Sequence, residues 1–165
     1  MKQLWAPWRM DYILGKKSSS CIFCHNPKTK HNKNKLLLYG GKYSLVLLNR
    51  FPYSNCHLLV APRKHTDSLT DLTPAESIDL FTTLTSSVEL LRESIQPEGF
   101  NIGMNLGRVA GAGIEDHLHF HIVPRWCGDT NFMPVVAESM VMPEHLKKAY
   151  ARLLPFFKKL PHSHG

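Results

Sequence analysis

Apolar residues in the first third of the chain form short runs separated by turn residues, a pattern that predicts β-strands. The runs Leu36–Tyr39 and Tyr43–Asn49 flank the pair Gly40-Gly41, as is typical of two strands joined by a tight turn. The run His57–Pro62 ends at a proline and predicts a third strand.

The segment Pro74–Gln96 has the spacing of an amphipathic helix. Thr73 can cap its start, and Glu76 completes a capping box with it. Pro97 and Gly99 end the pattern. The predicted buried face consists of residues spaced alternately three and four apart, namely Phe81, Leu84, Val88, Leu91 and Ile95.

The second half of the chain predicts two more strands, Phe100–Asn105 and His117–Val123, separated by the glycine-rich loop Gly107–Gly113. A second helix is predicted over Pro143–Leu154, with Pro155 near its end. Together the elements predict an α+β fold: a mostly antiparallel five-stranded sheet, one long helix and a C-terminal helix.

The length of 165 residues predicts one domain over residues 1–165, because no repeat or linker divides the chain. The arm at 1–20 carries Trp5, Trp8 and Tyr12 and is expected to pack on the domain or on a partner subunit. The tail at 161–165 is expected to be mobile.

Composition narrows the class of protein. Hydrophobic residues make up 43% and charged residues 20%, which excludes a disordered or collagen-like chain. No apolar run approaches the roughly 20 residues of a membrane span, and the start lacks a signal peptide, so we expect a cytoplasmic protein. Lys and Arg number 20 and Asp and Glu 13, a net charge of +7. This charge fits anionic partners such as nucleotides, phosphates or nucleic acid, or solubility alone.

The four cysteines are too few and too unevenly spaced for a disulfide framework. Cys21 and Cys24 form a C-x-x-C pair, which in a reducing compartment indicates metal binding or redox chemistry. Cys56 and Cys127 are isolated and are interpreted as packing or surface residues.

Histidines 117, 119 and 121 alternate with apolar residues, so on a strand their side chains share one face. A row of imidazoles suits metal binding, and it also suits nucleophilic attack on phosphorus. The spacing alone does not choose between these two chemistries.

The string HLHFHIV at 117–123 resembles the H-φ-H-φ-H-φ-φ signature of histidine-triad (HIT) proteins. NRFP at 49–52, HLLVAP at 57–62, the Ala-Gly pair at 110–111 and Pro-Arg at 124–125 follow the family's order. LWAPWRMDYI, CIFC and VPRWCGDTNFMPV resemble the branch of bacterial and archaeal HIT hydrolases and diadenosine polyphosphate phosphorylases. The resemblance implies the HIT-like fold and a homodimer.

The resemblance also implies that His117, His119 and His121 form a catalytic triad. His119 is the expected nucleophile toward the α-phosphate of an adenine nucleotide, forming a nucleotidyl-histidine. This role requires a neutral imidazole ring, in which the nitrogen that does not attack phosphorus donates a hydrogen bond to a backbone carbonyl. A ring that is buried, metal-bound or turned from any anion-accepting cleft would exclude it. His121 is expected to hydrogen-bond the phosphate or the bridging oxygen.

The remaining nucleotide contacts follow from the same resemblance. Asn49 occupies the family's ribose position and Asn105 a phosphate-contacting position. The backbone at Gly111 and Gly113 is expected to approach a phosphate. Ala112 stands where a common family pattern has Gln, so one side-chain contact is missing.

Zinc-bearing family members imply a closed structural site. Its expected ligands are Cys21, Cys24, His65 and His117, two sulfurs and two nitrogens that suit tetrahedral zinc. Two alternatives are a ligand from His25 or His31, which lie nearer in sequence, and a reduced pair without metal.

Several functions remain open at this level. A histidine at position 121 favours hydrolysis, whereas the flanking residues resemble phosphorylases, which transfer the nucleotide to inorganic phosphate. A nucleotide-binding regulatory module with incidental turnover is a second class. A nucleic-acid-end processing protein is the least favoured, because no nucleic-acid module is present in the sequence.

Overall fold

A computed structural model of the chain describes residues 21–25, 28–129 and 144–161. The predictions for the arm at 1–20 and for the tail beyond Pro161 lie outside these residues. The single-domain assignment stays a prediction. Among the described helices, none is both long enough and apolar enough to cross a membrane.

Five strands form one antiparallel sheet, as predicted. Their spatial order is β1-β2-β3-β5-β4, which places β5 between β3 and β4. The last strand of the described residues therefore lies inside the sheet, with a neighbouring strand on each side. The bounds are β1 Leu37–Gly40, β2 Ser44–Leu48, β3 Leu58–Pro62, β4 Gly99–Met104 and β5 Phe120–Arg125.

Two helices, α1 (Pro74–Ile95) and α2 (Leu146–Phe157), pack on one face of this sheet. Because side chains alternate between the faces of a strand, β2 sends Val46 and Leu48 into the core beneath the helices. A second, smaller apolar cluster covers the opposite face, and it consists of Phe23, Leu37, Leu45, Leu47, Leu59 and Ala61.

Helix α1 begins with the predicted capping box: the Thr73 hydroxyl accepts from the Glu76 amide, and Glu76 accepts from the Thr73 amide. The predicted buried face is wrong at one position, because Phe81 is 62% exposed. Leu80 is buried instead, so the helix is rotated toward that side. Leu84 and Leu91 are buried as expected.

Helix α2 starts three residues later than predicted and does not stop before Pro155, which lies inside it. Its start is capped by His145, whose Nδ1 accepts from the Lys147 amide at 3.2 Å. Pro155 removes one backbone hydrogen bond from the helix. Burial of the apolar side of α2 nevertheless keeps the residues after the proline helical. The buried residues on that side are Ala149, Tyr150, Leu153 and Phe157.

Candidate active site and metal centre

The three histidines share one face, but only one of them lies within the sheet. Strand β5 begins at Phe120, so His117 and His119 precede it, contrary to the prediction of a strand over 117–123. The alternation persists outside the ladder because Leu118 and Ile122 are both buried in the core beneath the helices. The imidazoles therefore point to the opposite face.

The tautomer of His119 follows from its hydrogen bond. Its Nδ1 lies 2.9 Å from the carbonyl oxygen of His117, which can only accept. Nδ1 therefore carries the proton, and Nε2 presents a lone pair. This is the hydrogen bond to a backbone carbonyl that the sequence led us to expect. Burial lowers the pKa of His119, which keeps the ring neutral.

The ring of His119 is buried, with only 4% of its surface exposed. The condition that a working nucleophile must not be buried is too strict, because attack requires access to one nitrogen and not to the ring faces. Nε2 makes no hydrogen bond among the described residues, and it is not one of their fully enclosed unpaired atoms. His119 is also absent from the group that could hold a metal.

His57, a residue to which we assigned no role from the sequence, sets the tautomer of His121. Its Nδ1 accepts from the Tyr53 backbone amide at 3.1 Å and lies 3.2 Å from the Asn49 side-chain nitrogen. The proton must then be on Nε2, which donates to Nδ1 of His121 at 2.9 Å. His121 therefore carries its own proton on Nε2.

Burial keeps this pair uncharged. Burial, together with the neighbouring His121 and His119, lowers the pKa of His57 to about 3. Burial and His119 lower the pKa of His121 to about 4. Near neutral pH the row thus offers a lone pair at His119 beside an N–H donor at His121, with ring centroids 4.9 Å apart.

A cavity of about 210 Å³ opens beside His121 on the same face. Tyr53, which is 53% exposed, stacks on His121 with the ring planes 22° apart and so forms one wall. The other lining residues come from β4, β5 and the turn after β4, and they are Asn101, Ile102, Gly103, Asn105 and Val123.

The structure brings Asn105 to this cavity, and its side-chain nitrogen also donates to the Gly111 carbonyl at 3.3 Å. Asn49 lies on the other side of His57, where its Oδ1 accepts from the Phe51 amide at 3.0 Å. The backbone amide of Gly111 donates to the backbone carbonyl of Arg108 at 3.0 Å. In this conformation the Gly111 amide is used within the loop, against the expectation that it faces a phosphate.

A larger cavity of about 400 Å³ lies between the segment before β1, Arg50 and the start of α2. None of the site residues expected from the sequence lines it. Its lining residues are Lys33, Asn34, Leu36, Arg50, His145, Leu146 and Lys147.

The four expected metal ligands do come together, with one ligand atom each within 4.8 Å of all the others. In a tetrahedral zinc site, ligand atoms lie about 3.3–3.8 Å apart, given bonds of about 2.0–2.3 Å. Nδ1 of His117 is 3.4 Å from the Cys21 sulfur and 3.9 Å from the Cys24 sulfur. Nδ1 of His65 is 3.4 Å from the Cys24 sulfur and 3.2 Å from Nδ1 of His117. These spacings fit a tetrahedral ion.

A hydrogen bond orients the buried ligand. Nε2 of His117 donates to the Pro62 carbonyl at 2.8 Å, which leaves the Nδ1 lone pair facing the cysteines. The alternative ligands His25 and His31 are not part of the group. His31 instead directs Nδ1 to the Leu38 carbonyl at 2.6 Å.

Known proteins resemble this chain in sequence. The HIT domain family model matches residues 30–127. The AP-4-A phosphorylase of Mycobacterium tuberculosis is 34% identical over 155 residues, 89% of this chain and 80% of that protein. The asymmetrical bis(5'-nucleosyl)-tetraphosphatase of Schizosaccharomyces pombe is 35% identical over 89 residues, 54% of this chain and 48% of that protein.

Solved structures agree with the fold. A Zn-bound histidine triad family protein from Mycobacterium smegmatis superposes with a TM-score of 0.61 at 26% identity. The match covers 75% of this chain and 84% of that one. The family model spans more than half of the sequence and includes the whole histidine row. The chain therefore belongs to the HIT domain family.

Proposed function

We propose that this protein is a nucleotide phosphohydrolase or nucleotidyl transferase that cleaves adenine nucleotides at the α-phosphate through a covalent nucleotidyl-histidine. One observation carries the proposal: the unprotonated Nε2 of His119 accepts no hydrogen bond from the residues that the structure describes, and it lies beside a histidine that carries its proton on Nε2. The relatives named as a phosphorylase and a tetraphosphatase support this class of substrate.

The reaction takes two displacements. Nε2 of His119 forms a bond to the α-phosphorus, and the bond from phosphorus to the bridging oxygen breaks. The Nε2–H of His121 donates to that oxygen and stabilises its developing charge. Water or inorganic phosphate then attacks the phosphorus, the P–N bond breaks, and His119 recovers its lone pair.

Asn49 and Asn105 supply the remaining contacts in this proposal. Asn49 binds the ribose, and Asn105, which lines the cavity beside His121, binds a phosphate oxygen. Gly111 and Gly113 shape the loop next to Asn105, where the positive φ of 88° at Gly111 suits a residue without a side chain.

We propose zinc as the ion held by Cys21, Cys24, His65 and His117. The ligand set and its spacing support this, as does the zinc-bound relative. Four protein ligands leave no open position, so the ion would be structural, linking the cysteine turn to His117.

The test is intact-mass spectrometry after brief incubation with diadenosine tetraphosphate. An added mass of one adenylyl group that maps to His119 is the expected result. The variant His119→Asn abolishes the adduct, whereas His145→Asn, at an exposed histidine, preserves it. Substrate turnover without any adduct on His119 would contradict the proposal.

The second displacement decides between the two branches. Formation of AMP and ATP in water alone is the result expected of a hydrolase, which a histidine at position 121 favours. Strictly phosphate-dependent formation of ADP would identify a phosphorylase. A regulatory module would instead bind nucleotide tightly, with a rate unaffected by His119→Asn. The homodimer and the cytoplasmic location stay predictions.

A further inference from the structure

The turn that carries the two cysteines also places an aromatic ring against the histidine row. Phe23 lies between Cys21 and Cys24 and is fully buried. Its ring centroid is 5.0 Å from that of His117 and 4.9 Å from that of His119. One side chain thus contacts both a candidate metal ligand and the candidate nucleophile.

Three contacts hold the ring of His119. Its Nδ1–H donates to the His117 carbonyl, Phe23 covers it with the ring planes 34° apart, and His121 lies on a further side at 58°. The first and the third come from the triad segment itself. The contact with Phe23 comes from a different part of the chain, so the aim of Nε2 depends on where that turn lies.

The backbone hydrogen bonds of the turn join residues within it: the Cys24 amide donates to the Cys21 carbonyl at 3.2 Å, and the His25 amide donates to the Phe23 carbonyl at 3.0 Å. Side chains attach the turn to the rest of the molecule in two ways. Phe23 packs in the apolar cluster, and the two sulfurs lie beside His65 and His117. An ion at that position would fix the turn at both of its ends.

We propose that Phe23 is a positioning residue that transmits the occupancy of the metal centre to His119. When the ion is bound, the fixed turn holds Phe23 against the imidazole and keeps Nε2 aimed at phosphorus. When the ion is removed, the turn and its ring loosen. A misplacement of about 1 Å in a reacting group can cost about 100-fold in rate. This proposal rests on the proposed function.

The test combines truncation of Phe23 with removal of the ion. Phe23→Ala is expected to slow adduct formation on His119 by about 10- to 100-fold, with an unchanged metal content per chain. Phe23→Leu is expected to restore part of the rate. Leu45→Ala is the matched control, because Leu45 is fully buried in the same cluster but lies on β2, beyond β3 from the triad. This control is expected to keep most of the rate.

Chelation is expected to slow the natural protein about as much as Phe23→Ala does, and to slow that variant little further. The proposal would be overturned if chelation and Phe23→Ala each slowed adduct formation by factors that multiply when combined. It would also be overturned if Leu45→Ala slowed adduct formation as much as Phe23→Ala does. A second readout does not depend on turnover. The NMR signals of the His119 imidazole are expected to move on chelation in the natural protein and to stay in place in Phe23→Ala. If this response occurs but no adduct ever forms, the proposed function fails and the positioning role stands.

Discussion

The chemistry of the histidine row depends on which nitrogen of each ring holds the proton. Backbone groups settle this for three rings, because carbonyls only accept and amides only donate. The Pro62 carbonyl orients His117, the His117 carbonyl orients His119, and the Tyr53 amide orients His121 through His57. The row therefore presents, in chain order, a lone pair of His117 facing the cysteines, a lone pair at Nε2 of His119 and an N–H donor at Nε2 of His121.

Substitution of His57 tests this chain of hydrogen bonds. His57→Gln keeps an N–H near the position of Nε2, whereas His57→Met fills similar space without a donor. We expect His57→Met to lower kcat by about 100-fold, the low end of the range for a lost catalytic proton donor, and His57→Gln to retain most of the kcat. Steady-state kinetics measure the difference. Equal losses in both variants would show that His57 only fills space.

Acid stability gives a second prediction for His57 and His121. Their folded pKa values, about 3 and about 4, lie below the value near 6.5 of an unfolded histidine. The unfolded chain therefore binds more protons between these values. Above about pH 6.5 the two histidines do not reduce the free energy of unfolding. As the pH drops toward 4, the free energy of unfolding is expected to fall by up to roughly 1.4 kcal/mol per pH unit for each histidine.

Urea unfolding at a series of pH values measures this slope. His57→Gln is expected to flatten it, whereas His145→Gln, at an exposed position, leaves it unchanged. A slope that is the same in all three proteins would contradict the assignment of neutral, buried rings.

Much of the site could be inferred from sequence because its signals are local. The alternation at 117–123 assigned the face of the three histidines, and the C-x-x-C pair assigned two ligands. The role of His57 could not be inferred in this way, because its partner lies 64 residues away and the link exists only in the folded sheet. The contact of Phe23 with His119 likewise depends on tertiary packing.

At the scale of elements, the register of α1 shows where local patterns become ambiguous. Leu80 and Phe81 are adjacent and both apolar, so either fits an amphipathic face. The choice depends on how the helix crosses β2 and β3, which periodicity does not report. Pro155 raises the same problem, since tertiary burial of Phe157 extends α2 past a residue that usually ends helices.

Alanine substitutions test that register. Leu84→Ala is expected to destabilise the protein by about 2–5 kcal/mol, because it empties a buried position. Phe81→Ala is expected to cost less than about 1 kcal/mol, because the ring is largely exposed. Chemical denaturation gives both values. If Phe81→Ala destabilised the protein more than Leu84→Ala, Phe81 would belong to the buried face, as the sequence predicted.

At the scale of the whole molecule, the candidate metal centre brings together distant parts of the chain. Cys21 and Cys24 come from the start of the described region, His65 follows β3, and His117 precedes β5. An ion that binds only the folded state stabilises it by mass action. The same linkage would tie Phe23 to the strand residues of the small apolar cluster.

Removal of the ion is therefore expected to lower the midpoint of thermal unfolding by several degrees, since about 1 kcal/mol corresponds to about 2–4 °C at this size. Cys24→Ser is expected to reproduce the loss and to make the midpoint insensitive to chelator. Cys127→Ser, at an exposed cysteine outside the group, is the control and keeps the response. An identical midpoint with and without chelator would contradict a structural ion.

The enclosure of His119 bears on how the proposed nucleophile avoids reaction with other compounds. Acylating and alkylating compounds modify any neutral imidazole that they can reach, and His145 on the surface is open to them. The central ring of the row shows 4% of its area. Because so little of the ring is exposed, we expect His119 to react with such compounds more slowly than His145, so the enclosure would protect the proposed nucleophile from chemical damage.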